Sequence, residues 1–145
     1  MKGLIQRVSQ ASVTVGGEQI ASIDKGLLLL LGVEKGDSER EARELCRKIL
    51  TYRVFPDDAG RMNRSLLDIG GSLLVVPQFT LAADTSSGTR PGFSLAAGPD
   101  DANRLYESFL AAAPTMLGPA SGGVCRHGCA MNVGTTIQEA EPLNP

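Results

Sequence analysis

The chain has 145 residues, of which 42% are hydrophobic and 21% charged, and its formal net charge is −2. This length predicts a single domain over residues 1–145 with a substantial core, and the composition is that of an ordinary globular protein. The slightly acidic balance excludes nucleic-acid or membrane binding through bulk charge, so any RNA contact would need a local basic patch.

The cellular compartment is predicted from the N-terminus and the cysteines. Residues 1–7 are too short and too polar for a signal peptide, and the longest apolar run, Gly26–Val33, is far shorter than a membrane span. Three cysteines, an odd number, without an export signal favour reduced thiols. We therefore expect a cytoplasmic protein that does not contact membranes.

Strand patterns come first along the chain. Residues 2–9 alternate weakly, and residues 11–15 are rich in β-formers and lead into Gly16-Gly17, which indicates a hairpin with a return strand at 18–23. Leu27–Val33 is a continuous apolar run of strand length, which predicts a strand buried on both faces.

A helix is predicted over residues 38–51. Ser38 followed by Glu41 has the spacing of a capping box, and helically spaced apolar residues follow: Ala42, Leu45, Cys46, Ile49 and Leu50. Residues 52–55 then favour a short strand, and residues 65–69 a further short element.

The second half of the chain predicts a strand at 72–81, a loop at 82–98 and a second helix at about 99–112. Residues 124–137 favour one or two more strands, and the tail from Glu139 is poorly patterned. Strands followed by a helix, strands, a helix and a final strand define an α+β (mixed α/β) domain with two main helices.

Familiar catalytic and cofactor motifs are absent. There is one histidine, His127, and no nucleophile elbow, phosphate loop or dinucleotide fingerprint. On an extended strand Cys125, His127 and Cys129 would share one face, which allows a metal site, but structural zinc usually has four ligands. We favour ordinary half-buried side chains there, and expect neither a metal nor a cofactor.

The predicted strand at 72–81 is interrupted by polar residues. Pro77 removes a donor from the sheet, which indicates that the sheet ends or bends there, and functional sites collect at strand ends. Taken alone, Gln78 and Thr80 are equally consistent with satisfied polar groups. Taken alone, Asp84 and Arg90 favour a solvated surface loop.

Four segments together nevertheless resemble the D-aminoacyl-tRNA deacylase family. They agree with it in order and spacing over roughly residues 1 to 112, which makes the resemblance specific. The segments are LIQRVSQASVTV (4–15), GLLLLLGVEKGD (26–37), YRVFPDDAGRMNRSL (52–66) and VVPQFTLAADTSSGTRPGF (75–93).

The resemblance implies a homodimeric, cytoplasmic enzyme with barrel-like β-sheets and the two helices packed on one side. It would bind aminoacyl-tRNA and hydrolyse the ester that joins a D-amino acid, or glycine, to the 3′-terminal adenosine. The family's Ser-Gln-Phe-Thr motif reads Pro77-Gln78-Phe79-Thr80 here. In the family, main-chain groups around this motif hold the substrate, and the 2′-hydroxyl of the RNA assists the chemistry.

Site residues follow from this alignment. A backbone site needs main-chain donors, and the strand break at Pro77 is a candidate for exposing them. Thr80 is expected to pack or donate a hydrogen bond and not to attack, since no suitably spaced base stands out. The resemblance assigns catalysis to Gln78, Phe79 and Thr80, and substrate binding to Pro77, Arg90 and Met131.

Several basic residues are candidates for contacts with tRNA phosphates. Each alone is more typical of a plain solvated charge, and only Arg90 is favoured as a phosphate contact, because it lies inside the matching loop. The candidates are Arg7, Lys35, Arg53, Arg61, Arg64 and Arg90.

The C-terminal segment departs from the family, whose Gly-Pro-Val-Thr motif reaches the partner's site and excludes L-amino acids. The register can be followed through RHGCAMNV at 126–133, after which Glu139-Ala140 stands where Gly-Pro belongs. A two-residue shift offers Glu141-Pro142 as a degenerate version. Glutamate resists backbone conformations that glycine permits, and only a minority of X–Pro bonds are cis.

Three interpretations of this departure are open: altered selectivity, lost activity, or an altered reading frame in the last twenty or so residues. The leading hypothesis is the deacylase. The alternative is a catalytically degraded relative that acts as a nucleic-acid-binding or interaction module, and a generic small-ester hydrolase is a weaker third.

Overall fold

The computed structural model describes residues 1–117, 124–126 and 136–142. It confirms the predicted α+β class. The elements are β1 (Lys2–Val15), β2 (Glu18–Ile23), β3 (Gly26–Gly32), α1 (Glu39–Thr51), β4 (Phe55–Pro56), β5 (Met62–Arg64), α2 (Leu66–Ile69), β6 (Ser72–Pro77), a 3-10 helix (Phe79–Ala82), α3 (Pro99–Leu117), β7 (Val124–Arg126) and β8 (Thr136–Pro142).

One curled sheet contains most of the strands, in the order β2-β1-β3-β6-β7, with β8 on β1. β1 is antiparallel to β2, β3 and β8, whereas β3, β6 and β7 run parallel. β2 pairs with the second half of β1 and β3 pairs with the first half. The register continues between them, from Ala11↔Ile23 to Val8↔Gly26. The curled sheet agrees with the barrel-like architecture that the resemblance implies.

The core lies on both faces of β3, as its unbroken apolar sequence predicts. Leu27, Leu29 and Leu31 pack with the helices in a cluster that includes Phe55, Tyr106 and Phe109. Leu28 belongs to a second cluster on the opposite face, with Val8, Val13, Leu74 and Val76. An unbroken leucine run presents apolar side chains on both faces of the strand, which is what a central strand of this sheet requires.

The predicted capping box starts α1. The amide of Ser38 donates to Glu41 Oε2 at 2.7 Å, and the Ser38 hydroxyl accepts from the Arg40 amide at 3.3 Å. These bonds satisfy amides that the first turn of a helix leaves without partners. The helix then buries Ala42, Cys46, Ile49 and Leu50 against the sheet, as their spacing predicts.

Several predicted boundaries were wrong. β6 ends at Pro77 and not at residue 81, because proline has no N–H for the ladder and the chain turns into the 3-10 helix. α3 extends to Leu117, past the predicted end at 112 and through Pro114. β1 runs without a break from Lys2 to Val15.

Two short segments also differ from their predictions. The strand expected at 52–55 contains only Phe55–Pro56. Residues 139–142, in the tail that has no clear pattern, belong to β8 because their backbone pairs with β1, a tertiary contact that local sequence does not reveal. In the parts of the chain that the structure describes, none of the helices is long and apolar enough to span a bilayer.

Candidate active site at the carboxyl end of strand β6

The end of β6 is fixed to the end of β3. Pro77 pairs with Leu31, and the next amide, that of Gln78, donates a 2.7 Å hydrogen bond to the Leu31 carbonyl. The Gln78 carbonyl in turn accepts from the Leu81 amide at 3.3 Å. The predicted motif therefore forms a tight turn that begins where the sheet stops.

This turn narrows the set of main-chain donors that the motif can offer. Pro77 has no N–H, and the amide of Gln78 is used by Leu31. The first bond of the 3-10 helix joins the Gln78 carbonyl to the Leu81 amide, so the amides of Phe79 and Thr80 precede it and have no acceptor inside the helix. These two amides are therefore the candidate main-chain donors of the turn.

Gly32 provides the space in which the turn sits. A Cβ built at Gly32 would lie 2.8 Å from Leu81 Cβ and 3.2 Å from the Gln78 carbonyl oxygen. No side chain fits there without moving the 3-10 helix, because both neighbouring atoms are held by backbone. Nothing in the local sequence distinguishes Gly32, and only the apposition of β3 and the turn reveals its role.

Arg90 lies in a closed segment of the loop that follows. Asp84 and Gly92 exchange backbone hydrogen bonds of 2.6 and 3.0 Å, and Arg90 is exposed between them. The Asp84 carboxylate accepts from the Ser86 amide at 2.9 Å. Hydrogen bonds from Ser86, aided by the charge of Lys2, hold the pKa of Asp84 below its usual value.

The same loop is attached to the chain just beyond β3. The amide of Lys35 donates to the Leu95 carbonyl at 2.9 Å, and the amide of Ala97 donates to the Val33 carbonyl at 3.0 Å. The loop that carries Arg90 and the turn at Pro77 are thus both hydrogen-bonded to residues 31–35. Tertiary structure brings these two predicted site segments to one end of the sheet.

The degenerate C-terminal motif lies elsewhere in the chain. Glu141 pairs with Gln10, and Pro142 pairs with Val8 of β1. Val8 also pairs with Gly26, at the opposite end of β3 from Leu31. Within one chain, the backbone of Glu141-Pro142 is therefore at the other end of the sheet from the turn at Pro77.

Some predicted site residues fall outside the described part of the chain. Met131, His127 and Cys129 are among them, so their predicted roles rest on sequence alone. Among residues 1–117, 124–126 and 136–142, no group of three or more His, Cys, Asp or Glu side chains is placed to hold a metal ion.

A small apolar pocket opens on the face of the sheet opposite the helices. It has a volume of about 230 Å³ and is lined by Leu4, Ile5, Gln6, Leu28 and Leu30. Leu4 is 55% exposed at its edge. The position of Leu4 opposite Leu30 follows from the strand pairing and is not indicated by local sequence.

Comparisons with known proteins identify the family. Residues 4–138 match the family model described as D-Tyr-tRNA(Tyr) deacylase. A D-aminoacyl-tRNA deacylase of Marinobacter nauticus is 67% identical over 133 residues, which cover 92% of this chain and 85% of that protein. The chain therefore belongs to the D-Tyr-tRNA(Tyr) deacylase family.

Two solved structures share the fold. The structure titled c-Myc DNA Unwinding Element Binding Protein has a TM-score of 0.79 at 40% identity and covers 86% of this chain and 83% of its own. A probable eukaryotic D-amino acid tRNA deacylase has a TM-score of 0.72 at 15% identity, over 97% of this chain and 94% of its own. The second likeness shows the fold alone.

Proposed function

We propose that this chain hydrolyses the ester bond of D-aminoacyl-tRNA and releases a free D-amino acid and tRNA. The observation that carries this proposal is the family match over residues 4–138. The match includes the turn at Pro77–Thr80, where the sheet ends and two main-chain donors are available. Glycyl-tRNA is a further substrate under the same proposal, since glycine has no side chain to be excluded.

The amides of Phe79 and Thr80 would donate to the ester carbonyl oxygen as negative charge develops on it. Donors fixed by the turn need no reorganisation during the reaction, which is why such groups stabilise an oxyanion effectively. Water attacks the carbonyl carbon, the bond to the 3′-oxygen breaks, and that oxygen gains a proton. An aminoacyl ester is already activated, so positioning by the protein and help from the ribose 2′-hydroxyl suffice.

The remaining predicted residues act on binding and selectivity. Pro77 shapes the turn, and Arg90 and Met131 contact the substrate. Glu141-Pro142 takes the place of the family's selectivity motif. Because these two residues lie at the far end of their own sheet, they would serve the site of a second subunit.

A homodimer is part of the proposal. The open face of the sheet, with the pocket at Leu28 and Leu30 and the exposed Leu4, offers an apolar surface that a second copy can cover. Burying such a surface contributes roughly 25 cal/mol per Å² of apolar area. The cytoplasm is the compartment we propose for the enzyme, because its tRNA substrate would be met there.

A nucleic-acid-binding module is the second candidate, and one observation favours it. The solved structure that is 40% identical to this chain carries a title that names binding of a DNA unwinding element. Under this alternative the chain would bind tRNA or DNA without cleaving an aminoacyl ester.

The deciding experiment measures deacylation of D-tyrosyl-tRNA and L-tyrosyl-tRNA by the purified protein. Release of D-tyrosine alone supports the deacylase with chiral selectivity, and release of both amino acids supports a deacylase whose Glu141-Pro142 segment no longer rejects L-substrates. Release of neither, with retained binding of tRNA or DNA in a gel-shift assay, supports the binding module. Turnover of simple esters without tRNA would support a generic esterase.

A further inference from the structure

We infer that a basic surface at the opposite end of the sheet from Pro77 binds the phosphate backbone of the tRNA acceptor stem. This inference rests on the proposed function and adds a second contact area to it. The surface is formed by Arg7 of β1 and by five residues between α1 and α2: Tyr52, Arg53, Arg61, Met62 and Arg64. It is called the hairpin patch below, because β4 and β5 form its hairpin.

Charge is unevenly distributed along the chain. Residues 47–64 contain five basic and two acidic side chains, whereas the whole chain has a net charge of −2. The segment is therefore a local cationic region on an otherwise acidic protein. Such a region attracts polyanions and orients them as they approach.

A side-chain contact connects the two parts of the hairpin patch. Arg7 Nη1 lies 3.2 Å from Met62 Sδ, which joins β1 to β5. Arg53 and Arg64 both lower the pKa of Asp68 through their charges, after the larger effect of the hydrogen bonds from Ser65.

The guanidinium groups of the patch have weak partners or none among the described residues. Arg7 donates to a thioether, which is a weak acceptor. Arg64 contacts Asp58 at 3.1 Å, but that carboxylate is 95% exposed, and such surface pairs exchange readily for a phosphate. Arg53 and Arg61 are exposed and take part in none of the ion pairs found in the described residues.

The acidic residue at the centre of the hairpin is already used by the turn. Asp57 accepts from the amides of Ala59 and Arg61 at 2.9 Å, and from the Asn63 side chain at 2.9 Å. These bonds, with the one from Asn63 largest, lower its pKa. The carboxylate thus builds the turn that presents Arg61, and does not form an ion pair with it.

Two exposed apolar side chains lie among these cations. Tyr52 is 53% exposed and Met62 is 45% exposed. An aromatic ring beside arginines is typical of single-stranded nucleic-acid sites, because a base or ribose can stack on the ring while the cations hold the backbone. The exposed tyrosine ring therefore favours a nucleic-acid-binding surface over a face that is only solvated.

Measured along the strands, the patch and the turn are about four residues apart. Arg7 pairs with Leu27, which pairs with Leu73, four residues before Pro77 on β6. Four residues of strand span ~13 Å, about the length of four stacked nucleotides at ~3.4 Å each. With the terminal adenosine at Phe79 and Thr80, the patch would meet the phosphates where the unpaired 3′ end joins the stem.

The test compares a full tRNA with a short substrate. In the variant Arg53→Gln/Arg61→Gln, the KM for D-tyrosyl-tRNA is expected to rise about tenfold, while kcat stays within a factor of about two. The slope of log K for tRNA binding against log salt concentration is expected to fall in magnitude by about 2. A D-tyrosyl trinucleotide that ends at the acceptor adenosine lacks the stem, so its kcat/KM is expected to change less than about twofold. The control Arg40→Gln/Arg104→Gln removes two exposed arginines elsewhere and leaves both substrates unaffected.

Tyr52 gives an independent readout. Tyr52→Ala is expected to weaken tRNA binding about fivefold or more, and Tyr52→Phe to restore it, since stacking needs only the ring. The inference would be overturned if the arginine variant kept the wild-type KM, or if the control pair raised KM as much. It would also be overturned if the arginine variant lost as much kcat/KM on the trinucleotide as on the full tRNA. If the wild type cleaves no D-aminoacyl-tRNA, the proposed function fails by itself, and the salt slope for uncharged tRNA still decides the role of the patch.

Discussion

The Gln78 amide donates a 2.7 Å hydrogen bond to the Leu31 carbonyl, and this single contact sets the geometry of the candidate active site. It continues the pairing of β6 with β3 for one residue past Pro77, where β6 ends. The chain can then turn within four residues into the 3-10 helix. As a result, the amides of Phe79 and Thr80 are the first donors beyond the sheet.

Gly32 is predicted to be essential for that turn. In Gly32→Ala the new methyl group would lie 2.8 Å from Leu81 Cβ, so the 3-10 helix must shift and its amides lose alignment with the ester. Overpacking of this kind costs roughly 1–3 kcal/mol of stability. We expect kcat for D-aminoacyl-tRNA to fall by about a hundredfold, the size of losing one oxyanion donor, in steady-state assays.

Gly98→Ala is the matched control. An added Cβ at Gly98 meets nothing within 4 Å, and the substitution introduces the same methyl group. Its kcat is expected to stay within about a factor of two of wild type. Full activity and an unchanged unfolding midpoint in Gly32→Ala would contradict the prediction that the 3-10 helix needs the space beside Gly32 of β3.

The chemistry is predicted to depend on the RNA and not on a side-chain nucleophile. A substrate whose terminal adenosine lacks the 2′-oxygen is expected to be cleaved about a hundredfold more slowly, because the assisting hydroxyl is missing. Thr80→Ala keeps the backbone amide at position 80, so its kcat should stay within about tenfold of the wild-type value. Single-turnover kinetics with both substrates would measure the two effects, and equal rates for the 2′-deoxy substrate would refute the mechanism.

The apolar open face is predicted to hold the dimer together. Leu4→Asp places a charge at the edge of the pocket formed with Leu28 and Leu30, and burying an unpaired charge costs several kcal/mol. Sedimentation analysis is expected to show a dimer for the wild type and a monomer for Leu4→Asp. Ile20→Asp, on β2 at a residue that is 42% exposed, is the control and should remain dimeric. A monomeric wild type would remove the basis for this prediction.

The N-terminal ammonium is predicted to make stability depend on pH. It lies 2.9 and 2.8 Å from the two carboxylate oxygens of Asp37 and 3.1 Å from Glu34 Oε1. Burial lowers its pKa, but the hydrogen bonds to Asp37 and Glu34 outweigh this, so the pKa is raised above its ordinary value of 8.0. This stabilisation is complete below pH 8.0 and is lost as pH rises through the raised pKa.

Asp37→Asn tests this linkage. In the wild type the Glu34 amide donates to Asp37 Oδ2 at 2.8 Å. Asparagine keeps an oxygen that can accept this hydrogen bond but removes the negative charge. The Tm of the variant should be below that of wild type at about pH 7, and the gap should narrow as the pH rises through the raised pKa of the ammonium. Glu44→Gln, which removes an exposed pair with Arg40, should show little change at either pH. A gap that is constant across this range would contradict the prediction.

Local sequence determined the elements whose signals lie within a few residues. The capping box at Ser38 and the apolar spacing after it define α1, because both act within a turn of helix. The leucine run of β3 predicts burial on two faces, since no polar side chain is available for solvent. The interruption at Pro77 likewise marks the end of β6, because a residue without an N–H cannot continue the ladder.

Contacts between distant segments were decided only by the tertiary structure. Nothing near Gly32 in sequence indicates that Leu81 will lie against it, and nothing near Glu139 indicates that β1 will pair with the tail. The same holds for Arg7, whose neighbour Met62 is 55 positions away. Backbone hydrogen bonds and packing between such segments depend on chain pairing, which local propensity does not encode, so the sequence could name the motif at residues 77–80 but not the donors it presents.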